Sequence, residues 1–220
     1  MRDKMEIKIT NKNVVIVAHQ FNPSIVNQLW LVKNGILSEN DFDINCVFTP
    51  VISQTQAHEF TLLILPEQLQ FAPKLEVKND DALVFSKVGR IIEKLPHTPF
   101  SAAGLNFIWH ISAPEKNMGD FTKSLFWRDN ALFREFDYED ARFGAYLSKN
   151  VLGSRLKLDI KPVFRTDDSK RIEILQFAFN YHVDLLGEKK VNDILELLKQ
   201  WNDAKNLSER IIMLVGKVTL

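Results

Sequence analysis

Two stretches of strict alternation constrain what the second half of this chain can become. In SRLKLDIKPVF, beginning at Ser154, the residues Leu156, Leu158, Ile160 and Phe164 fall on one side, and Arg155, Lys157, Asp159 and Lys161 fall on the other. In RIEILQFAFNYHVDLL, beginning at Arg171, the residues Leu175, Phe177, Phe179, Tyr181 and Val183 oppose Gln176, Asn180, His182 and Asp184. A period of two sends successive side chains to opposite faces of a strand. A sheet built from these segments therefore has one face that must be covered and one that is polar.

The cover has to come from helices. NDDALVFSKVGRIIEKL starts with cap-forming residues and places Val84, Phe85, Val88, Ile91, Ile92 and Leu95 on one helical stripe. The C-terminal EKKVNDILELLKQWNDAKNLSERIIMLVG reads as a long amphipathic helix or a bent pair. Earlier, after a polar N-terminal tail, NVVIVAHQF reads as a strand. It is followed by a helix whose start is signalled by Asn22 and Pro23 and whose end is signalled by Gly35, with Ile25, Leu29 and Val32 on one face. Three short strands are expected between Asp41 and Pro73, with Phe42, Ile44, Cys46 and Phe48 alternating against polar positions. TPFSAAGLNFIWHI supplies a strand with Leu105, Phe107, Trp109 and Ile111 on one side and Asn106 and His110 on the other; GDFTKSLFWRDNALF follows as a helix and ARFGAYLSKNV as a strand.

The order of elements thus occurs twice, β-α-β-β-β-α followed by β-α-β-β-β-α. LQFAP at Leu69 and LQFAF at Leu175 mark the last strand of each half. A shift of 96 positions superimposes Leu29, Ile64 and Pro66 on Leu125, Ile160 and Pro162, and ten further residues bring the two LQFA strings together. Val88, Ile91, Ile92 and Leu95 then meet Ile194, Leu197, Leu198 and Trp201. The expected fold is α+β: one pseudo-symmetric domain over 1–220, an antiparallel sheet with helices packed on one face, repeat 1 about 13–98 and repeat 2 about 99–216. Two unrelated α+β halves are the alternative. Gln70 and Gln176 would occupy related places on the polar face.

Composition narrows the function classes. Lysine plus arginine and aspartate plus glutamate number 28 each, so no net field steers the molecule toward nucleic acid or an anionic membrane, although a local basic patch is compatible with this balance. The single cysteine, Cys46, excludes an internal disulfide and a cysteine-rich metal site. The beginning MRDKMEIKITNKN lacks an apolar cleavable segment, and runs such as LLIL are far short of a bilayer span, so a cytoplasmic location is expected. No phosphate loop, dinucleotide fingerprint, nucleophile elbow or H-E-x-x-H occurs, and no cofactor or metal is expected.

Candidate chemistry is correspondingly thin. His110, His182 and Asp184 lie on the polar sides of their strands, where they could form an acid–base or metal cluster or a ligand pocket; surface or hydrogen-bonded histidines are the plainer account. Asp41, Asp43, Asp137 and Glu139 could ligate a hard cation but lack the glycine turn and ligand spacing of a calcium loop, so solvated loops explain them better. The four tryptophans, Trp30, Trp109, Trp127 and Trp201, are expected to pack into the core. Arg155, Lys157 and Lys161 could meet phosphates, with His110 and Asn180 adding hydrogen bonds, but Asp159 stands among them and the sequence shows no exposed aromatic platform. The last helical region, with Leu207, Ile211, Ile212 and Val215, could supply a dimer or partner contact.

The phrase LPHTPFSAAGLNFIWHI, together with NYHVDLLGEKKVNDILELLKQWNDAKN, resembles a sporadically distributed, uncharacterised bacterial family whose members carry a GLRYINRI-like strand and an aspartate-bearing strand before a long helix. The resemblance covers about half the chain, and the family's arginine and asparagine positions are not reproduced. It implies a bacterial cytoplasmic protein, suits a mobile-element or antiviral defence setting, and carries over no functional residues. The expectation is a non-enzymatic binding or accessory protein that contacts a protein partner or a second copy of itself. It would do so through the polar sheet face, at Arg155, Lys157, Lys161, Gln70, Gln176 and Asn180, or through the C-terminal helix. An enzyme or small-ligand pocket at His110, His182 and Asp184 is one alternative, and nucleic-acid binding, not favoured, is another.

Overall fold

The computed structural model of the chain describes residues 5–42, 45–112, 117–167 and 170–218. Among these, nine strands form one open antiparallel sheet. They are β1 (Glu6–Ala18), β2 (Val47–Phe48), β3 (Ser53–Gln56), β4 (Phe60–Leu65), β5 (Gln68–Pro73), β6 (Phe100–Ser112), β7 (Ala145–Val151), β8 (Ser154–Asp167) and β9 (Lys170–Asp184). Their order across the sheet is β2-β3-β4-β5-β1-β6-β9-β8-β7. The helices are α1 (Gln28–Lys33), α2 (Asp80–Val84), α3 (Arg90–Lys94), α4 (Met118–Phe126), α5 (Ala131–Arg134), α6 (Lys190–Lys199) and α7 (Trp201–Val218). A π turn at Phe85–Gly89 joins α2 and α3 into one rod.

The 13-residue strands β1 and β6 pair in the middle of the sheet, and β1 starts well inside what reads as a polar tail. Its apolar positions change phase, from Ile7 and Ile9 to Val14 and Ile16. A register shift between Ile9 and Asn11 absorbs the extra residue and keeps all four on one side. That side continues through Leu105 and Phe107, Phe177 and Tyr181, Leu156 and Leu158, and Leu62, Ile64, Leu69 and Phe71, all nearly or completely buried.

The helices cover this side. Trp201 packs against Phe107 with ring centroids 4.9 Å apart. The Tyr181 hydroxyl donates to the Ala204 carbonyl oxygen at 2.9 Å and lies 3.0 Å from Ser208 Oγ. Burial pushes that phenol up to about 12. Val84, Val88, Ile91 and Ile92 are fully buried under the rod, whereas Phe85, expected on the same stripe, is 39% exposed.

One buried interaction departs from the apolar rule. Asp80 reads as a helix cap, yet its carboxylate is fully buried and Asn79 makes no capping side-chain bond. Lys12 of β1 donates to Asp80 Oδ2 at 2.7 Å, and Lys205 of α7 donates to Oδ1 at 2.7 Å. Lys12 is 4% exposed and also reaches the Val77 carbonyl oxygen. Strand, rod and C-terminal helix thus meet on one carboxylate.

Other expectations shift. Residues 23–27 form a turn, so α1 begins after Asn27, whose side chain accepts from the Trp30 amide; Asn22 instead accepts from the Ser24 amide. The helical phase moves with it: Val26 and Leu31 are buried, while Ile25 and Leu29 are 43% and 75% exposed. Gly35 does take the left-handed conformation expected of it. Four strands, one of only two residues, occupy the region expected to hold three, and Ile44 lies outside the described residues. Among the tryptophans, Trp201 and Trp109 are buried and Trp30 and Trp127 half-buried.

The Asp80 cluster sets a stability prediction. Burial alone would raise this carboxyl, but the two lysines outweigh that and hold it below its ordinary value of 3.8. Its contribution is therefore complete above pH 3.8 and is lost as pH falls through the depressed folded-state value. Asp80→Asn strands two lysines and is expected to cost about 3–5 kcal/mol in urea unfolding at pH 7. The mutant should also lack this part of the acid-induced loss. A cost under about 1 kcal/mol would contradict the assignment.

Candidate functional site on the open sheet face

The face opposite the helices is built from the other half of each alternation. The register defines rows that run across it. Lys161, Gln176, His110 and Lys8 form one row, and Lys157, Asn180, Asn106 and Asn13 form another. Asn150, Arg155, His182, Gly104, Val15, Gln70, Leu63 and Gln54 form a third, which spans eight strands. The β1, β3, β4 and β5 part between Asn11 and Val17 holds amides, threonine and aliphatic groups such as Val15, Leu63 and Leu65 but no charge. The β8 part is basic.

At the centre stands a ladder of asparagines. Asn180 Nδ2 donates to Asn106 Oδ1 at 2.5 Å, and Asn106 Nδ2 donates to Asn13 Oδ1 at 2.8 Å. Each side chain is half-buried; the ladder spends one donor and one acceptor of Asn106, one donor of Asn180 and one acceptor of Asn13, and leaves each amide further capacity for a partner. Gly104 allows the arrangement, since a Cβ there would stand 3.1 Å from Asn180 Nδ2.

Every residue expected to bind lies on this face: Arg155 and Lys161 are exposed, and Lys157, Gln70, Gln176 and Asn180 are half-buried. Two of the cations are already engaged, Lys161 with Asp159 at 2.6 Å and Arg155 with the Asn150 side chain at 3.1 Å.

The expected histidine cluster does not assemble. His182 Nε2 lies 3.0 Å from Asp184 Oδ1, but His182 is opposite Gly104 while His110 is opposite Gln176. Six strand positions separate them, roughly 20 Å. Alternation assigns a face and carries no information about distance along it. His110 Nε2 is 3.3 Å from Gln176 Oε1, and Nδ1 is buried without a hydrogen-bond partner among the described residues. This end of the face is partly closed, because Ile174, on the same side, is fully buried. Burial pulls the His110 imidazole below its ordinary value of 6.5, nearby Arg165 and Lys8 pull the same way, and the Gln176 contact opposes them.

The acidic loops also stay apart from any cation site. Asp41 accepts from the Ser38 amide at 2.7 Å, Asp137 pairs with Lys123, and Asp43 lies outside the described residues. Among the described residues no group of three or more His, Cys, Asp or Glu could hold a metal ion, and no helix is long and apolar enough to cross a membrane.

Sequence reasoning overlooked Tyr146, which is 65% exposed on this face beside Asp159. Its strand, β7, shows no apolar alternation from which a face could be read. No family model, curated protein or solved structure matches the chain.

Two measurements follow. Histidine NMR should find His110 titrating below 6.5, so that this group opposes folding as pH falls through its folded-state value and ceases to do so above 6.5. A midpoint at or above 6.5 would contradict the buried placement. Asn106→Ala, which breaks both ladder bonds, should cost about 1–2 kcal/mol in urea unfolding, less than Asp80→Asn because the freed amides can reach water.

Proposed function

We propose that this chain is a non-enzymatic binding or accessory protein whose working surface is the open face of the sheet. The observation that carries this reading is the uncovered row from Asn150 to Gln54, which runs across eight strands with the asparagine ladder beside it. A merely solvated face tends toward dense, mixed charge. The centre and the β3–β5 side of this face instead present amide donors and acceptors on rigid strands, with charge confined to β8 and the strand ends, an inventory that satisfies a partner's polar groups.

An internal duplication is part of the proposal. In its favour, β5 and β9 flank the central pair β1–β6, β4 and β8 lie outside them, and β3 and β7 lie beyond. Gln70 and Gln176 both sit on the open face of the flanking strands, and both apolar stripes, at Val88, Ile91 and Ile92 and at Ile194, Leu197 and Leu198, are buried. The superposition is inexact. Ile64 pairs with Leu69, whereas Ile160 pairs with Phe177 rather than Leu175, a two-residue slip that keeps every side chain on its face. The bacterial origin and defence setting implied by the family resemblance, and a cytoplasmic location, belong to the same proposal.

The test is a comparison of bound material. Tagged chain and its Asn106→Glu variant are incubated with an extract of the cells that make it. A partner held by the native chain and by a Lys33→Glu control, but lost from Asn106→Glu, is the expected result. Equal retention by Asn106→Glu would overturn the reading.

A further inference from the structure

The charge on the open face is unevenly placed. On β8 the outward positions from Arg155 to Arg165 carry Arg155, Lys157, Lys161 and Arg165 against Asp159 alone. The chain as a whole is neutral, and Asp159 is already paired with Lys161, so the excess is local to this strand. Arg155 and Lys157 stand two strand positions apart, roughly 7 Å, on a rigid backbone. Beside them on β7 is the exposed ring of Tyr146, and on β9 and β6 are the half-buried amides of Asn180 and Asn106.

We propose, resting on the reading of the open face as the working surface, that its β7–β8 side binds single-stranded nucleic acid. Arg155, Lys157 and Lys161 meet backbone phosphates, Tyr146 stacks on a base, and the free donors and acceptors of Asn180 and Asn106 meet base edges. Cations in a line, an exposed aromatic ring and uncharged amides on one sheet face are the three components of single-strand recognition. A protein partner fits less well, because it would have to supply a matching line of carboxylates, whereas a nucleic-acid backbone carries regularly spaced anions by its covalent structure. A duplex fits less well too, because its stacked bases offer Tyr146 no face.

The proposal is tested by fluorescence anisotropy with a labelled mixed-sequence 20-nucleotide DNA strand and its RNA equivalent, from low to physiological salt. Binding of at least one of them should weaken as salt rises. Lys157→Glu should lower affinity about tenfold or more and reduce the salt slope. Tyr146→Ala should lower affinity about tenfold with the slope unchanged. The same sequence as a duplex should bind more weakly than the single strand. No binding at low salt, equal binding by Lys157→Glu and the Lys33→Glu control, or a preference for duplex would each overturn the proposal. If oligonucleotides fail to bind while Asn106→Glu still loses a protein partner from the extract, this inference falls and the open-face reading stands. If neither is seen, both fall.

Discussion

The Asp80 carboxylate is the point on which the architecture turns. It is the one fully buried acid in the described core, and it is accepted there because Lys12 and Lys205 each give it a charge-assisted hydrogen bond. Removing Asp80 leaves Lys12 buried without its counter-charge, and removing either lysine takes one of the two charge-assisted bonds from a fully buried carboxylate, so the three elements cannot drift independently. β1 fixes the sheet's centre, the α2–α3 rod lies over it, and α7 is drawn onto the same side, where Tyr181 reaches Ala204 and Trp201 packs on Phe107. An apolar contact would have supplied comparable stability with less positional demand. The ionic cluster instead fixes how β1, the rod and α7 sit against one another on the face that the alternation makes apolar.

That choice of face has a direct consequence for function. With the helices committed to one side, the alternate residues of β1, β3–β6, β8 and β9 are presented together on the other, and their polarity becomes the surface a partner meets. The asparagine ladder ties three neighbouring strands through side chains as well as backbone, which keeps its outward-facing groups in fixed positions. Binding by such a surface needs little ordering, whereas catalysis needs titratable groups close together. The strand register holds His110 away from the His182–Asp184 pair.

Much of this was legible in the chain because burial and period coincide. Leu156 to Ile160 and Leu175 to Tyr181 are buried at every second position, so their faces follow from parity alone, whereas Phe164, of the same parity, is 56% exposed; the helix stripe at Val84, Val88, Ile91 and Ile92 follows from helical spacing. Failures occurred where a local irregularity shifted the phase. The bulge near Thr10 hid the first half of β1 inside a polar-looking tail, and the turn at residues 23–27 rotated α1 so that Leu31 rather than Leu29 faces inward. Asp80 read as a cap because its lysines are 68 and 125 residues away, a pairing no local pattern reveals. The asparagine ladder was half visible, since Asn106 and Asn180 could be placed on the polar side, but their registration with each other and with Asn13 depends on strand order.

The most direct test of the central claim is lysine-acetylation footprinting of the whole chain, alone and bound to whatever it captures. Alone, Lys157 and Lys161 should react readily while Lys12 is protected by Asp80. When bound, Lys157 and Lys161 should lose reactivity, with Lys33 and Lys199 on the helix-bearing side unchanged. Protection of Lys33 and Lys199 with continued reactivity at Lys157 and Lys161 would contradict the account, because the partner would then sit on the helices and leave the open face to solvent.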